Sequence, residues 1–147
     1  MRLEHLCDMQ LLYQQTPILD RKFVLVRPYG GEEGSGYGEG DGTVTGERLT
    51  GTLRWVNHPH RRSDGTMLGD AHGVIRTGDD ALVLFSLTGR TVWTEAGPGR
   101  QVLTTLFESQ DERYSWLNGV YCILEGAIDP ERLAMRARIY ICMNEMV

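Results

Sequence analysis

The sequence predicts an all-β fold, a closed antiparallel β-barrel of about eight to ten strands around an internal pocket, in one domain over residues 1–147. Short runs of β-branched and aromatic residues recur with turn signals at near-regular spacing, and no βαβ rhythm interrupts them. Eighteen glycines among 147 residues, with few long apolar helical patterns, favour many turns over helices. A barrel is preferred to a sandwich because eight strands can enclose one small ligand and closure leaves no sticky edges.

Residues 1–12 read as the first strand, with Leu3, Met9 and Leu11 on a common alternation. Residues 14–20 contain Pro17 and make a turn, and residues 22–27 (KFVLVR) form a short strand stopped by Pro28. The glycine-rich run that follows predicts a connector, with residues 31–41 mobile over the pocket mouth. It contains no GxGxxG and no GK[ST], and Glu32, Glu33, Glu39 and Asp41 would repel phosphate.

Residues 42–76 are the stretch around which the chain is organised. Leu49, Gly51, Leu53 and Trp55 alternate with Thr50, Thr52 and Arg54 as on a strand. The second half then crowds together Asn57, His58, His60, Arg61, Arg62, Asp64, Asp70 and His72. Residues 71–77 and 81–87 pair as a hairpin about Gly78, Asp79 and Asp80, with Ala71, Gly73 and Ile75 on one face and His72, Val74 and Arg76 on the other. The run ALVLFSL is apolar on both faces, which predicts a central strand. A turn is expected at residues 88–90 and another at 96–99. Residues 101–108 (QVLTTLFE), 114–124 (YSWLNGVYCIL) and 136–143 (RARIYICM) supply the remaining strands, with a turn at 129–132.

A formal charge of −5 argues against nucleic acid as a partner, because phosphate binding needs a basic stripe. Arg54, Arg61 and Arg62 are basic but interleaved with Asp64 and Asp70, so the group reads either as an anion site or as a solvated loop. The opening MRLEHLCDMQLL has no apolar core, and no later segment reaches spanning length, so neither a signal peptide nor a membrane partner is expected. Cys7, Cys122 and Cys142 are odd in number and widely spaced, which predicts free thiols in a cytoplasmic protein. No GxSxG is present, which disfavours a serine nucleophile.

Three constellations could carry chemistry. His58 and His60 followed by Asp64 are similar to the HxHx(3,4)E of cupins, but no histidine follows His72, so no metal is expected; if one bound, these three residues would be its ligands. Asp70 and His72 lie two apart, share one face of an extended segment and could form a general acid/base pair inside a barrel, or a structural hydrogen bond. Tyr114, Trp116 and Asn118 would share a strand face and, with Trp55, Asn57 and Tyr121, line a flat apolar wall with polar hooks, or simply fill the core. Arg54, Arg61 or Arg62 would anchor a carboxylate or stabilise an enolate.

Several fragments, in order along almost the whole chain, resemble the family catalogued as domain of unknown function 3237, also called the UPF0311 family. They are the opening LEHL, then GTVTGERLTG with glycines at 42, 46 and 51, the DGT of residues 64–66, GDAHGVIRTGDDALVLF, Phe107-Glu108, and Tyr114-x-Trp116-Leu117-Asn118. The resemblance implies a closed barrel similar in shape to the calycin and allene-oxide-cyclase types, often oligomeric, with no established reaction. It also brings in Glu108 as a second candidate acid. The histidine- and arginine-rich residues 54–65 depart from the family's commoner shorter turn.

The function expected from these residues is cofactor-free acid/base chemistry on a small hydrophobic or aromatic metabolite, of isomerase, cyclase, dehydratase or lyase type. Asp70, His72 and Glu108 would handle protons. A non-catalytic carrier barrel is the alternative, and a metal-dependent cupin-like enzyme is the third reading.

Overall fold

A computed structural model describes residues 1–147 as ten strands and one short helix. The strands are β1 (Arg2–Gln14), β2 (Val24–Val26), β3 (Gly34–Thr45), β4 (Gly51–Asn57), β5 (His60–Arg61), β6 (Met67–Thr77), β7 (Leu82–Trp93), β8 (Gly99–Glu108), β9 (Cys122–Asp129) and β10 (Ala134–Met143). Eight of them form one antiparallel circuit in the order β1-β10-β9-β8-β7-β6-β4-β3, and β3 pairs back onto β1 to close it. The short β2 lies beside β3, and β5 bridges β3 and β6, so neither belongs to the circuit. No helix is long and apolar enough to cross a membrane.

Alternation explains the interior. In β6, Ala71 and Ile75 are buried while Asp70, His72 and Arg76 are exposed; in β4, Leu53 and Trp55 are buried and Arg54 is not. The inner faces of all eight strands meet in a single apolar core. In β1 the alternation breaks at a bulge between His5 and Cys7, so Leu3 is exposed while Leu6 and Cys7 are both buried. β7 continues through residues 88–90 where a turn is expected. Its outer residues Leu82 and Leu84 stay exposed, so this strand is buried on its inner face alone.

The glycine-rich run is the main correction to the expected fold. Residues 34–45 are a strand rather than a mobile connector, and that strand supplies the closing edge of the barrel. Its glycines fall every second residue, which leaves one face bare, and the bare face is covered by rings. A Cβ on Gly38 would stand 2.3 Å from the Tyr13 ring, and one on Gly36 would stand 2.4 Å from that of Phe23. At Gly40 a Cβ would meet the Leu12 carbonyl at 1.8 Å, so the approach of β1 to β3 itself requires glycine there.

The second correction is at residues 114–121. A 3₁₀ helix, Glu112–Gly119, replaces the first half of the expected strand, capped by the Asp111 side chain accepting from Arg113 N–H. It leads from the end of β8 to the start of β9 and buries Leu117 completely, which closes that end of the barrel.

Cys7 and Cys122 are buried and Cys142 is half-buried, all as free thiols. Burial pushes Cys7 from its ordinary value near 9 up to about 12, with neighbouring Cys122 and Asp8 adding to the shift. Burial likewise moves Cys122 up to about 11. Well below pH 9 both thiols are protonated whether the chain is folded or not. As pH rises through the window from about 9 to 12, ionisation favours the unfolded chain, so this part of the stability is lost.

Two outcomes follow for measurement. In native buffer at pH 8, a thiol reagent should label Cys142 alone, with Cys7 and Cys122 reacting only after urea is added. Gly38→Ala should lower urea stability by about 1–3 kcal/mol through overpacking against Tyr13. Gly31→Ala, where a Cβ meets nothing within 4 Å, should leave it unchanged.

Candidate functional site

Above the packed half of the barrel, at the end away from the 3₁₀ helix, the inward alternation leaves a cavity of about 110 Å³. Tyr13 comes from the end of β1, Trp55 and Asn57 from the end of β4, and Met67, Gly69 and Ala71 from the start of β6. Leu87, Thr91 and Trp93 of β7 face Gln101 and Leu103 of β8, and Ile128 and Met135 fill the wall between β8 and β1. Phe23 and Pro59 cover it from the connecting segments.

One wall is a stack of edge-on rings. Tyr13 stands perpendicular to Trp55 at 4.5 Å between centroids and nearly perpendicular to Phe23 at 5.7 Å. The Trp55 indole N–H donates to the Asp41 carbonyl at 2.9 Å, which locks the ring to β3. Polar groups in the cavity are few and uncharged. Asn57 is held by the Asp70 backbone N–H, which donates to its Oδ1 at 3.1 Å, and its Nδ2 donates to the Tyr13 hydroxyl at 3.1 Å. Burial pushes the Tyr13 phenol above its ordinary value, outweighing the opposite pull of the Asn57 hydrogen bond. Gln101 Nε2 donates to Thr91 Oγ1 at 3.0 Å.

Of the residues expected from the sequence, the cavity brings together Trp55 and Asn57. The others lie elsewhere. Asp70 and His72 do pair, with Asp70 Oδ1 3.1 Å from His72 Nε2, but on the outer face, where their side chains are 55% and 64% exposed. The expectation that they point into the barrel is corrected: the inward residue between them is Ala71. Arg54 and Glu108 are also exposed on outer faces. Arg61 and Arg62 sit near the mouth, where they pair at 2.6 Å with Glu32 and Asp64 respectively. The Arg62 guanidinium holds the Asp64 carboxyl well below the usual carboxylate range.

His58 stacks edge-on against Tyr37, and His60 lies 3.7 Å from Glu33, so His58, His60 and Asp64 do not converge. No group of three or more His, Cys, Asp or Glu side chains is placed to hold a metal.

The expected aromatic wall at residues 114–121 is likewise redistributed by the 3₁₀ helix. Tyr114 is buried at the closed end and donates to Asp79 Oδ1 at 2.7 Å. Trp116 lies under the Arg48 guanidinium at 3.7 Å. Asn118 is exposed, accepting from Ser109 N–H and donating back to its carbonyl. The Tyr121 hydroxyl meets Thr104 on the outer face at 2.8 Å.

The reading of the sequence missed Tyr13, Phe23, Gln101 and Trp93. A signal was present for Gln101, which shares the register of Leu103, Thr105 and Phe107 and is therefore a polar residue on an inward face.

No family model matches the chain. Over 80 residues, 54% of its length, the chain is 32% identical to the hydroalkoxylation enzyme phnH of Penicillium herquei. That match spans less than half of the relative, 42% of its length. A β-barrel-like protein of Acinetobacter baumannii superposes with a TM-score of 0.80 at 17% identity, covering 95% of this chain and 94% of that one. An enzyme from Penicillium herquei superposes with a TM-score of 0.62 at 22% identity, covering 95% and 93%. The likeness to these two structures is one of fold.

The outer pair gives a direct check. Asp70→Asn and His72→Ala should each change thermal stability by less than about 0.5 kcal/mol, as exposed pairs do.

Proposed function

We propose that this chain is a cofactor-free enzyme that closes a ring within a small hydrophobic or aromatic metabolite, adding a hydroxyl O–H across a C=C bond in the barrel cavity. The observation that carries the reading is the Tyr13 hydroxyl. It is buried, its oxygen already accepts from Asn57, and its own proton is free to be given to whatever fills the cavity. The hydroalkoxylation activity named for the partial relative is of this class, and the barrel fold is shared with an enzyme. The order of sequence fragments supports kinship with domain-of-unknown-function family 3237 as part of the same reading. A cavity of about 110 Å³ suits one small molecule, which favours reacting groups carried on the same substrate.

In this scheme Tyr13 transfers its proton to one carbon of the double bond as the substrate hydroxyl oxygen bonds to the other. The hydroxyl proton then returns to the Tyr13 phenolate, so nothing is oxidised or reduced. The hydrogen bond from Asn57 supports the transient phenolate, and the faces of Trp55 and Trp93 shield positive charge developing on carbon.

A carrier function is the second reading. It is favoured by the lining itself, which contains no carboxylate, imidazole, ammonium or guanidinium.

Incubation with 2-allylphenol and related alkenyl phenols, with cyclic ether followed by mass spectrometry, tests the proposal. Tyr13→Phe should lower turnover at least about a hundredfold while changing affinity little, as loss of a general acid does. Wild-type activity should persist through neutral pH and fall on the alkaline side, because the protonated donor is lost only as pH rises through its raised value. Tight binding without conversion across the series would favour the carrier.

A further inference from the structure

The outer face of the barrel carries an apolar surface that nothing in the chain covers. Leu82 and Leu84 on β7 and Leu106 on β8 are exposed, Leu84 by 57%, although a strand facing water normally turns polar residues outward. They are contiguous. Leu84 pairs directly with Val74 of β6, and Leu106 stands diagonally from it, opposite Ser86. Beside them the surface dips between Leu82 and Leu12 into a shallow depression lined by Thr52, Arg54, Val74 and Arg76. Contiguous apolar patches of this kind mark contact surfaces.

The charges at the borders of the patch identify what covers it. Register places Arg54, Val74, Leu84 and Glu108 in one outward-facing row across β4, β6, β7 and β8. The row reads cation, apolar, apolar, anion, so it is complementary to itself when turned about an axis between β6 and β7. Other charges on this face are matched within the chain, Asp70 with His72 and Arg76 with Asp80, whereas Arg54 and Glu108 enter no ion pair. The next row, Val56, His72, Ser86 and Leu106, is also symmetric in character, with an apolar residue at each end.

We propose that this face is the two-fold interface of a homodimer, its axis lying in the contact plane and running between β6 and β7 along the strands. Val74 then meets Leu84 of the second copy, Val56 meets Leu106 of the second copy, and Arg54 pairs with Glu108 of the second copy. Barrel curvature widens the gap away from the axis, so short apolar side chains suit the middle and long charged ones the edges. Four strands wide and three rows long, the face measures about 20 Å each way. That is less than the ~800 Å² per partner of a standard interface, so the dimer is one that dissociates on dilution. None of these residues lines the cavity, so the interface stands whether the barrel is an enzyme or a carrier.

Sedimentation velocity of the wild type should show dimer at ~100 μM and mostly monomer below ~1 μM, as micromolar association over a small interface gives. Leu84→Ser should be monomeric throughout that range. Arg54→Glu and Glu108→Arg should each weaken association at least about tenfold, because the two-fold axis brings like charges together twice. The double variant Arg54→Glu/Glu108→Arg should dimerise again, since the exchanged pair is once more complementary. All these sites are exposed, so every variant should keep the wild-type circular dichroism. A wild type that stays monomeric at every concentration would overturn the homodimer and leave the face to a different protein. A dimer indifferent to both single charge reversals, or a double variant that does not recover, would overturn it equally. Should Leu84→Ser not fold, the charge-reversal series decides.

Discussion

The structure depends on β1 being hydrogen-bonded along both edges, to β10 on one side and to β3 on the other. That second pairing turns an open sheet into a barrel, and without it both strands would present unsatisfied backbone groups. It is possible only because β3 has almost no side chains on one face. Tyr13 and Phe23 occupy the space that Cβ atoms at Gly36 and Gly38 would take. The same two rings then form a wall of the cavity. Closure and cavity therefore share one cause.

Much of the barrel was legible because alternation is a local property. The faces of β4 and β6 follow directly from residues 49–55 and 71–76, and the structure keeps them. The glycine run misled because glycine is usually read as flexibility. Its period of two, with Ser35, Tyr37, Glu39, Asp41 and Thr43 between the glycines, is a strand pattern with an empty inner face. Residues 114–118 misled differently: their aromatic content suits a strand, but Asp111 caps a 3₁₀ turn whose apolar residues bury by tertiary packing.

The site was harder to read than the fold. Titratable residues drew the eye to Asp70 and His72, although the alternation that buries Ala71 also sends both neighbours outward. Charge gathers on the outside and at the mouth because burying it is costly unless it is paired. The polar groups that remain inside are neutral: a phenol, two amides and a threonine hydroxyl. Such groups carry no strong sequence signal, since each is also common in ordinary cores and turns. Tyr13 and Gln101 come from strands distant in the chain, and only closure brings them into the same chamber.

The 3₁₀ helix makes the barrel a cup rather than a tube. With Leu117 seated in one end, the interior has a floor, and traffic is confined to the rim that residues 58–66 help to build. Anything held in the chamber must leave by the doorway through which it came. Entry and exit are then mutually exclusive events at one charged rim.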